Sequence, residues 1–294
     1  MATPLIFAIV VLIWGTTWFA IKFQLGVVAP EVSLVYRFSL AAACVFVYAR
    51  MTGSPLALSW RDHRFVALQG ATLFCLNYWL TYLSTQFLTS GLVAVLFTSI
   101  IFFNLVNSRL IFRAPVEPRV LAAAAAGVVG VALLFLPELR AALDNPGILH
   151  GAGLALGATY LASLGNMAAA RNTRGGLPVV TVNAYGMAYG AAGLALIAAL
   201  RGARPEFDWH WPYVLSLLYL SLAGTSLAFG LYLALIRRID ATRASYSSVL
   251  FPVVALAVST LFEDYRWSLP ALAGLAVLVA GNALALGGAR VARR

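Results

Sequence analysis

The sequence predicts an all-α membrane protein in which ten transmembrane helices form two inverted-topology five-helix repeats, with both termini in the cytoplasm. Three observations predict this fold. Of the 294 residues, 62% are hydrophobic and only 10% are charged, and the mean hydropathy is +0.89, whereas soluble domains carry about 25% charged residues. Long apolar windows recur along the chain, and basic residues gather in alternate loops between them. Two distant stretches of the chain are also similar in sequence.

Each predicted span is an apolar window of about 17 to 25 residues that ends at a charge, a proline or a glycine. The first window has no basic segment before it and is long enough to span, so we expect a helix there and not a cleaved signal peptide. The ten windows are 4–21, 32–50, 65–86, 90–112, 119–136, 147–170, 179–200, 212–236, 242–262 and 268–288.

The orientation follows from the basic residues. Fourteen of the twenty lysines and arginines fall on the side of the termini, five fall on the other side, and Arg37 lies inside the second span. Because basic loops stay in the cytoplasm, both termini are predicted to be cytoplasmic. The net charge of +10 is therefore interpreted as a topology signal, and no nucleic-acid partner is predicted.

An internal repeat relates spans four and five to spans nine and ten at an offset of 151 residues. Under this offset Gly130 meets Gly281, and GVALL (130–134) meets GNALA (281–285). An odd number of spans in each half requires the halves to have opposite orientations, which is typical of secondary transporters. The predicted repeats cover 1–140 and 141–294.

The predicted spans carry few groups that could perform chemistry. No acidic residue lies at the centre of a span, and all three histidines lie in loops or at span ends. Buried carboxylates and histidines are the usual proton relays, acid–base catalysts and metal ligands. The sequence therefore disfavours carboxylate-driven proton antiport and a membrane-embedded enzyme, and it predicts no catalytic residue, metal or cofactor. Cys44 and Cys75, which lack a CxxC or Cys/His pattern, are interpreted as core residues.

The first span carries Trp14, Trp18 and Lys22 at intervals of four residues, so that they share one helix face. The two tryptophans lie too deep for an interfacial belt, which leaves either a role in lining a cavity or plain packing. Lys22 lies at the outer end of the span, where we expect a snorkelling anchor with a gating or charge role and not a midplane ligand.

Arg37 is the one charged residue well inside a predicted span. It lies about 9 Å deeper than Glu31 at the outer end of span two, and it must face protein or water. Two interpretations remain open: a structural arginine paired with Glu31 or another outer carboxylate, or a cation that attracts a substrate carboxylate.

Span three carries a polar stripe of Asn77, Thr81 and Thr85, flanked by Tyr78 and Tyr82. Since a polar group in lipid needs a partner, the stripe predicts either a cavity wall or interhelical hydrogen bonds. The other candidate substrate-binding residues share a polar side chain inside spans four, six and nine: Thr98, Ser99, Tyr160, Ser163, Ser245, Tyr246 and Ser248.

Five features resemble the EamA pattern of the drug/metabolite transporter (DMT) superfamily over residues 4–288: the Trp14-Gly15 pair, Lys22, Pro30, Arg37 and the segment SSVLFPVVALAVSTLFED (247–264). In length and aromatic content the chain looks most like YddG-type exporters of aromatic and other neutral amino acids. The resemblance implies ten helices in two inverted halves, a central substrate cavity and efflux across the bacterial inner membrane. Arg113 departs from the pattern, which has an acidic residue after span four.

These observations together predict a secondary transporter that exports amino acids by alternating access, as a uniporter or by facilitated diffusion. An exporter of other small metabolites or organic cations remains an alternative. A nucleotide-sugar exchanger would need a more basic cavity than Arg37 and Lys22 provide, and a membrane-embedded enzyme would need groups that the spans lack. The expected partners are a small-molecule substrate and the lipid bilayer. The sequence leaves the oligomeric state open, a monomer included.

Overall fold

The computed structural model describes residues 2–116, 118–141, 145–232, 234–235, 238 and 247–287. Within these ranges the chain forms ten long helical segments and no strand. The helices are α1 (Thr3–Lys22), α2 (Pro30–Met51), α3 (Trp60–Gln69, Gly70–Leu76 and Asn77–Ser84), α4 (Ser90–Phe97 and Ile100–Phe112), α5 (Pro118–Ala141), α6 (Gly147–Arg174), α7 (Val179–Leu200), α8 (Trp211–Tyr232), α9 (Ser247–Phe262) and α10 (Leu269–Gly287).

Each predicted span corresponds to one of these helices, which confirms the all-α membrane fold. Seven helices in the described part of the chain are long and apolar enough to cross a membrane, and α9 and α10 contain the shorter apolar segments Leu250–Phe262 and Leu269–Gly281. The remaining helix, α3, has charged residues in its first turns. Below, "inner" and "outer" follow the predicted orientation of the chain.

The start of α3 differs from its prediction. The helix begins at Trp60, five residues before the predicted window, because the Ser59 hydroxyl accepts a hydrogen bond from the Asp62 backbone N–H at 3.1 Å and caps the helix. Arg61, Asp62 and Arg64 kept this amphipathic first turn out of an apolar window. Residues 242–246 of the predicted ninth span lie outside the described residues.

Both α3 and α8 contain a π-helical segment, over Gly70–Leu76 and Tyr219–Leu227. The two segments occupy corresponding places in the two halves of the chain. A π-helical turn inserts an extra residue into the hydrogen-bond ladder, so the residues after it face a different direction. The segment in α3 thereby determines which side chains of Asn77–Ser84 face the protein interior.

Each half of the chain packs several of its helices against helices of the other half. Helix α1 packs against α9 and α6 packs against α4, while α2 packs against α7 and α5 packs against α10. A two-fold axis relating the halves would convert the α1–α9 contact into the α6–α4 contact. It would map the α2–α7 and α5–α10 contacts each onto itself, so this packing agrees with an inverted repeat. The α5–α10 contact is tight, because a Cβ atom at Gly274 would lie 2.6 Å from the Gly130 carbonyl oxygen. Gly130 therefore lets the two helices approach closely, as small residues do between membrane helices.

Candidate substrate cavity

A cavity of about 260 Å³ lies among α1, α2, α3, α4, α8 and α9. Its wall is mostly aromatic and aliphatic, with a single charged side chain among the lining residues. The lining residues are Trp14, Thr17, Trp18, Ile21, Arg37, Asn77, Tyr78, Thr81, Ala94, Phe97, Thr98, Ile100, Ile101, Gly224, Phe229, Phe251 and Pro252.

The charged residue is Arg37, which is only 2% exposed. Its hydrogen bonds are long: Nη1 lies 3.4 Å from the Tyr82 hydroxyl, and Nη2 lies 3.5 Å from the Thr225 hydroxyl. The guanidinium carbon lies 4.7 Å from the centre of the Tyr78 ring, and Nε has no hydrogen-bond partner. The cation is thus stabilised by an aromatic face and two weak acceptors, and it retains donors for an anion.

Arg37 has no carboxylate partner among the described residues. Glu31, the partner that the sequence suggested, instead accepts hydrogen bonds from Arg201 Nε at 3.0 Å and from Trp79 Nε1 at 3.2 Å. Arg201 and Trp79 lie at the outer ends of their helices, where they reach Glu31 at the start of α2. The interpretation of Arg37 as the partner of Glu31 is therefore wrong.

Asn77 supplies a second unpaired polar atom in the cavity wall. Its Nδ2 donates to the Leu73 carbonyl at 3.0 Å, a carbonyl of the π-helical segment of α3. Its Oδ1 is buried and has no hydrogen-bond partner. Since a carbonyl at Leu73 requires a donor, this contact fixes which end of the amide faces the cavity. The free oxygen can accept a hydrogen bond from a ligand N–H group.

Trp14 forms part of the aromatic wall. Its indole N–H donates to the Gly224 carbonyl in the π-helical segment of α8 at 3.1 Å. Its ring lies 5.2 Å from the Phe251 ring and 5.4 Å from the Phe229 ring, centre to centre. Because its only donor is satisfied, the tryptophan presents an apolar face to the cavity. Both sequence interpretations of Trp14 therefore apply, since it packs against other rings and lines the cavity.

The structure brings seven of the candidate residues to this cavity: Trp14, Trp18, Arg37, Asn77, Tyr78, Thr81 and Thr98. Four others lie elsewhere. Tyr82 is fully buried behind Arg37, and Ser99 does not line the cavity. Ser163 accepts a hydrogen bond from Asn107 Nδ2 at 3.0 Å, which joins α6 to α4, and Tyr160 is 43% exposed.

The ninth span is only partly described. Ser245, Tyr246 and the side chain of Ser248 lie outside the described residues. Pro252, which follows them in α9, does line the cavity.

Lys22 lies at the outer end of α1 and does not line the cavity. Its Nζ donates to the Leu88 carbonyl at 2.8 Å and lies 3.4 Å from Glu263 Oε1, while the side chain stays 31% exposed. Glu263 directly follows α9 and lies far along the chain, so no local sequence signal indicated this partner.

Several lining residues were not identified from the sequence, namely Thr17, Ile21, Ala94, Phe97, Ile100, Gly224, Phe229 and Phe251. Most are apolar, and an apolar residue in a span gives the same sequence signal whether it faces a cavity, a neighbouring helix or lipid. Gly224 lies against Thr17, where an added Cβ would be 2.7 Å from the threonine methyl group. This close approach depends on the π-helical segment, which leaves no compositional signal.

A second cavity of about 420 Å³ lies between α2, α7 and α8 in the inner half of the molecule. Phe229 lines both cavities, so its side chain stands between them. Cys44 lines the second cavity and is partly exposed, whereas Cys75 is buried in the core. In the described part of the chain, no three His, Cys, Asp or Glu side chains are grouped as a metal site would require.

Comparison with known proteins places this geometry in context. The model of the EamA-like transporter family matches the chain twice, over residues 2–136 and 149–287. A Salmonella typhimurium protein named "probable amino-acid metabolite efflux pump" is 26% identical over 97% of this chain and 95% of its own length. The Bacillus subtilis protein named "uncharacterized transporter YoaV" is 25% identical over 84% of each chain.

A solved crystal structure shares the fold with a TM-score of 0.66 at 19% identity, over 99% of this chain and 98% of that one. The resemblance in fold thus extends over both halves of the chain.

Proposed function

The chain belongs to the EamA-like transporter family, and from this premise we propose that it exports neutral amino acids, aromatic ones included, across the bacterial inner membrane. Family membership makes the chain a multi-pass membrane transporter and not an enzyme. The name of the Salmonella typhimurium relative, which this chain matches along nearly its whole length, supports amino acids as the substrate class.

The observation that carries the proposal is a pair of buried polar atoms without hydrogen-bond partners, one a donor and the other an acceptor. Arg37 Nε is a buried donor and Asn77 Oδ1 is a buried acceptor, and both residues line the same aromatic cavity. An α-amino acid offers a carboxylate for the guanidinium and an ammonium for the amide oxygen. Its side chain would lie against the rings of Trp14, Trp18 and Phe97.

The binding free energies expected from these substrate contacts suit a carrier. A hydrogen bond to a charged group contributes about 1.5 to 3 kcal/mol, and contact between an ammonium and an aromatic face contributes about 0.5 to 2 kcal/mol. A substrate held by a few such contacts binds weakly enough to leave on the other side of the membrane.

The proposed mechanism is alternating access, in which the two halves rock around the central cavity. Helices of both halves line the cavity, since α1 to α4 precede and α8 and α9 follow the middle of the chain. Among the described residues that line it, none is a carboxylate or a histidine. We therefore propose uniport or facilitated diffusion without proton coupling.

The test is uptake of radiolabelled amino acids by purified protein in liposomes, with and without a pH gradient. We expect saturable flux of phenylalanine, threonine or methionine that does not require the gradient. Arg37→Met should lower the flux at least about tenfold, because the partner of the carboxylate is lost, while Arg37→Lys should retain part of it. Arg204→Met, which removes an exposed outer-loop arginine, is the matched control and should leave the flux unchanged.

Two results would contradict this proposal in different ways. If no amino acid moves or competes, the substrate assignment is wrong. If flux appears only with a pH gradient, the amino-acid substrate stands and the uncoupled mechanism is wrong.

Export of organic cations is the second candidate, since aromatic walls also bind cations. The guanidinium of Arg37 opposes it, because a cationic substrate would lie beside a buried like charge. Substitution of Arg37 by methionine separates the two candidates. It should weaken amino-acid transport if the first is right, and it should strengthen transport of a quaternary ammonium compound if the second is right.

A further inference from the structure

At the outer end of the central cavity, the carboxylate of Glu263 joins three helices. Its two oxygens accept hydrogen bonds from the Ser90 backbone N–H at 3.1 and 3.0 Å, and they also contact the hydroxyls of Ser90 and Ser259. Lys22 Nζ lies 3.4 Å from Oε1 and donates to the Leu88 carbonyl at 2.8 Å. The cluster thereby ties the end of α1, the start of α4 and the end of α9 to one another.

The chemistry of a helix start explains why a carboxylate lies there. The first N–H groups of α4 have no partner within their own helix, and Ser90 and Gly91 are its first two residues. Glu263 accepts from Ser90 N–H, and the Ser259 hydroxyl accepts from Gly91 N–H at 2.7 Å. The dipole of α4 also favours a negative charge at this end. The Glu263 side chain, only 9% exposed, is thus stabilised by several donors and one cation.

Close contact between α4 and α9 requires a glycine. A Cβ atom at Gly91 would lie 2.8 Å from the Ser259 hydroxyl oxygen and 3.0 Å from a Leu256 methyl carbon. The helices therefore meet directly at the cluster and leave no passage between their outer ends.

The cluster lies immediately outside the central cavity. Ala94, one turn after Ser90, and Trp18, one turn before Lys22, both line that cavity. Every residue of α4 from Ser90 to Leu96 is buried. On its other side, Glu263 lines an outer cavity of about 400 Å³ that includes Leu88 and Arg266. The cluster therefore lies between the two cavities.

We propose that Lys22, Ser90, Ser259 and Glu263 form an outer latch, which holds the central cavity closed to the outside and has to open in each export cycle. The inference rests on the alternating-access part of the proposed function. It assigns gating, and not substrate contact, to Lys22 and Glu263. Neutralising Glu263 removes the negative charge, and glutamine keeps only one of the two acceptor oxygens that the three helices share, so the change should shift the population towards the state that is open to the outside.

The experiment measures access to the cavity and needs no substrate. Thr98→Cys, at a partly exposed cavity position, serves as reporter in a chain that also carries Cys44→Ala and Cys75→Ala. A membrane-impermeant thiol reagent is added to right-side-out vesicles. We expect Glu263→Gln to raise the labelling rate about tenfold, since a set of charge-assisted hydrogen bonds is lost. Ser259→Ala should raise it by less.

Asp264→Asn is the matched control, because it removes the neighbouring exposed carboxylate and asparagine tolerates the positive φ of 54° at that position. It should label at the parental rate. Gel filtration of each variant reports folding, and if Glu263→Gln does not fold, Ser259→Ala decides the outcome. Parental labelling rates in the folded variants would overturn the latch, and so would an equal rise with Asp264→Asn. A failure of amino-acid transport alone would leave the latch standing.

Discussion

The outer end of α9 and the inner end of α4 occupy corresponding positions but have different chemistry. Under the 151-residue offset, Ser259 corresponds to Ser108, Glu263 to Phe112 and Asp264 to Arg113. The correspondence is structural as well, since Arg113 and Asp264 both have a φ of 54° where their helices end. The two ends are therefore built on the same backbone geometry, and their side chains can be compared directly.

At the outer end, a carboxylate joins three helices. At the inner end, the Arg174 guanidinium lies 4.5 Å from the centre of the Phe112 ring, and the Ser108 hydroxyl lies 3.5 Å from the Met167 sulfur. An exposed cation over a ring contributes about 0.5 to 1 kcal/mol, less than hydrogen bonds to a buried charge. Correspondingly, Ser90 to Leu96 are all buried, whereas Asn107 is the buried residue in the Ile100–Phe112 part of α4. The contacts at the outer end are therefore stronger than those at the inner end.

An inner-face ion pair does not remove this difference. Arg171 and Asp62 are paired at 3.4 Å, with side chains 30% and 26% exposed. The Ser59 hydroxyl, and then Arg171, hold the pKa of Asp62 below its usual value. This pair joins α6 to α3, as Gln24 joins the end of α1 to α8 on the outer face through Tyr213 and Ser216. Each face thus has a polar side-chain contact that joins two helices. The difference between the faces lies at the ends of α4 and α9.

The largest effect in this comparison should come from a double-mutant cycle on Lys22 and Glu263. Lys22→Met alone leaves a nearly buried carboxylate without its cation, and Glu263→Gln alone leaves the lysine without its carboxylate. Because the groups are in contact, the double variant should cost less than the sum of the single changes, by about 1 to 2 kcal/mol. The measurement is the free energy of outer opening, taken from labelling of Thr98→Cys. Strict additivity would show that the ion pair contributes nothing to the outer closure.

A second prediction concerns a carboxylate introduced at the inner end of α4. Phe112→Glu places a carboxylate beside Arg174, at the position that corresponds to Glu263. We expect the new ion pair to close the inner side and to slow labelling of Thr98→Cys in the central cavity, in the chain that lacks Cys44 and Cys75, about threefold, as a partly exposed pair would. The assay uses inside-out vesicles, and the same chain with Thr98 in place gives the background. Phe112→Gln controls for loss of the ring, and equal slowing in both variants would show that charge is not the cause.

The helices could be predicted from the sequence because a bilayer demands long apolar windows, and all ten windows correspond to helices. The two π-helical segments could not be predicted from the sequence. A π-helical turn, as in Gly70–Leu76, changes the backbone hydrogen bonding without leaving a signal in the amino-acid composition. The window predicted for α3 begins five residues too late for a related reason. The charged first turn of this helix, which begins at Trp60, is stabilised by the Ser59 cap and not by lipid.

The site was predictable where a polar side chain in an apolar span requires an explanation, as for Arg37 and Asn77. Their roles were not fixed by sequence, because each had a structural alternative whose partner lies on another helix. Phe229 and Phe251 could not be identified, since a cavity wall and a packed core use the same residues. The partnership of Lys22 with Glu263 depends on the fold as a whole, which brings the ends of α1 and α9 together.

The smallest effect should follow from Arg174→Met, which removes the inner cation–π contact and leaves Phe112 in place. Arg174 is exposed, so the contact contributes little, and we expect labelling of Thr98→Cys in inside-out vesicles to rise no more than about threefold. Lys22→Met removes a cation at the end of α1 and should change outer labelling of Thr98→Cys by more. Both variants lose one positive charge near a helix end, which makes each the control for the other. If Arg174→Met had the larger effect, the inner end would be the stronger closure, and the asymmetry between the two ends of the cavity would have the opposite sign.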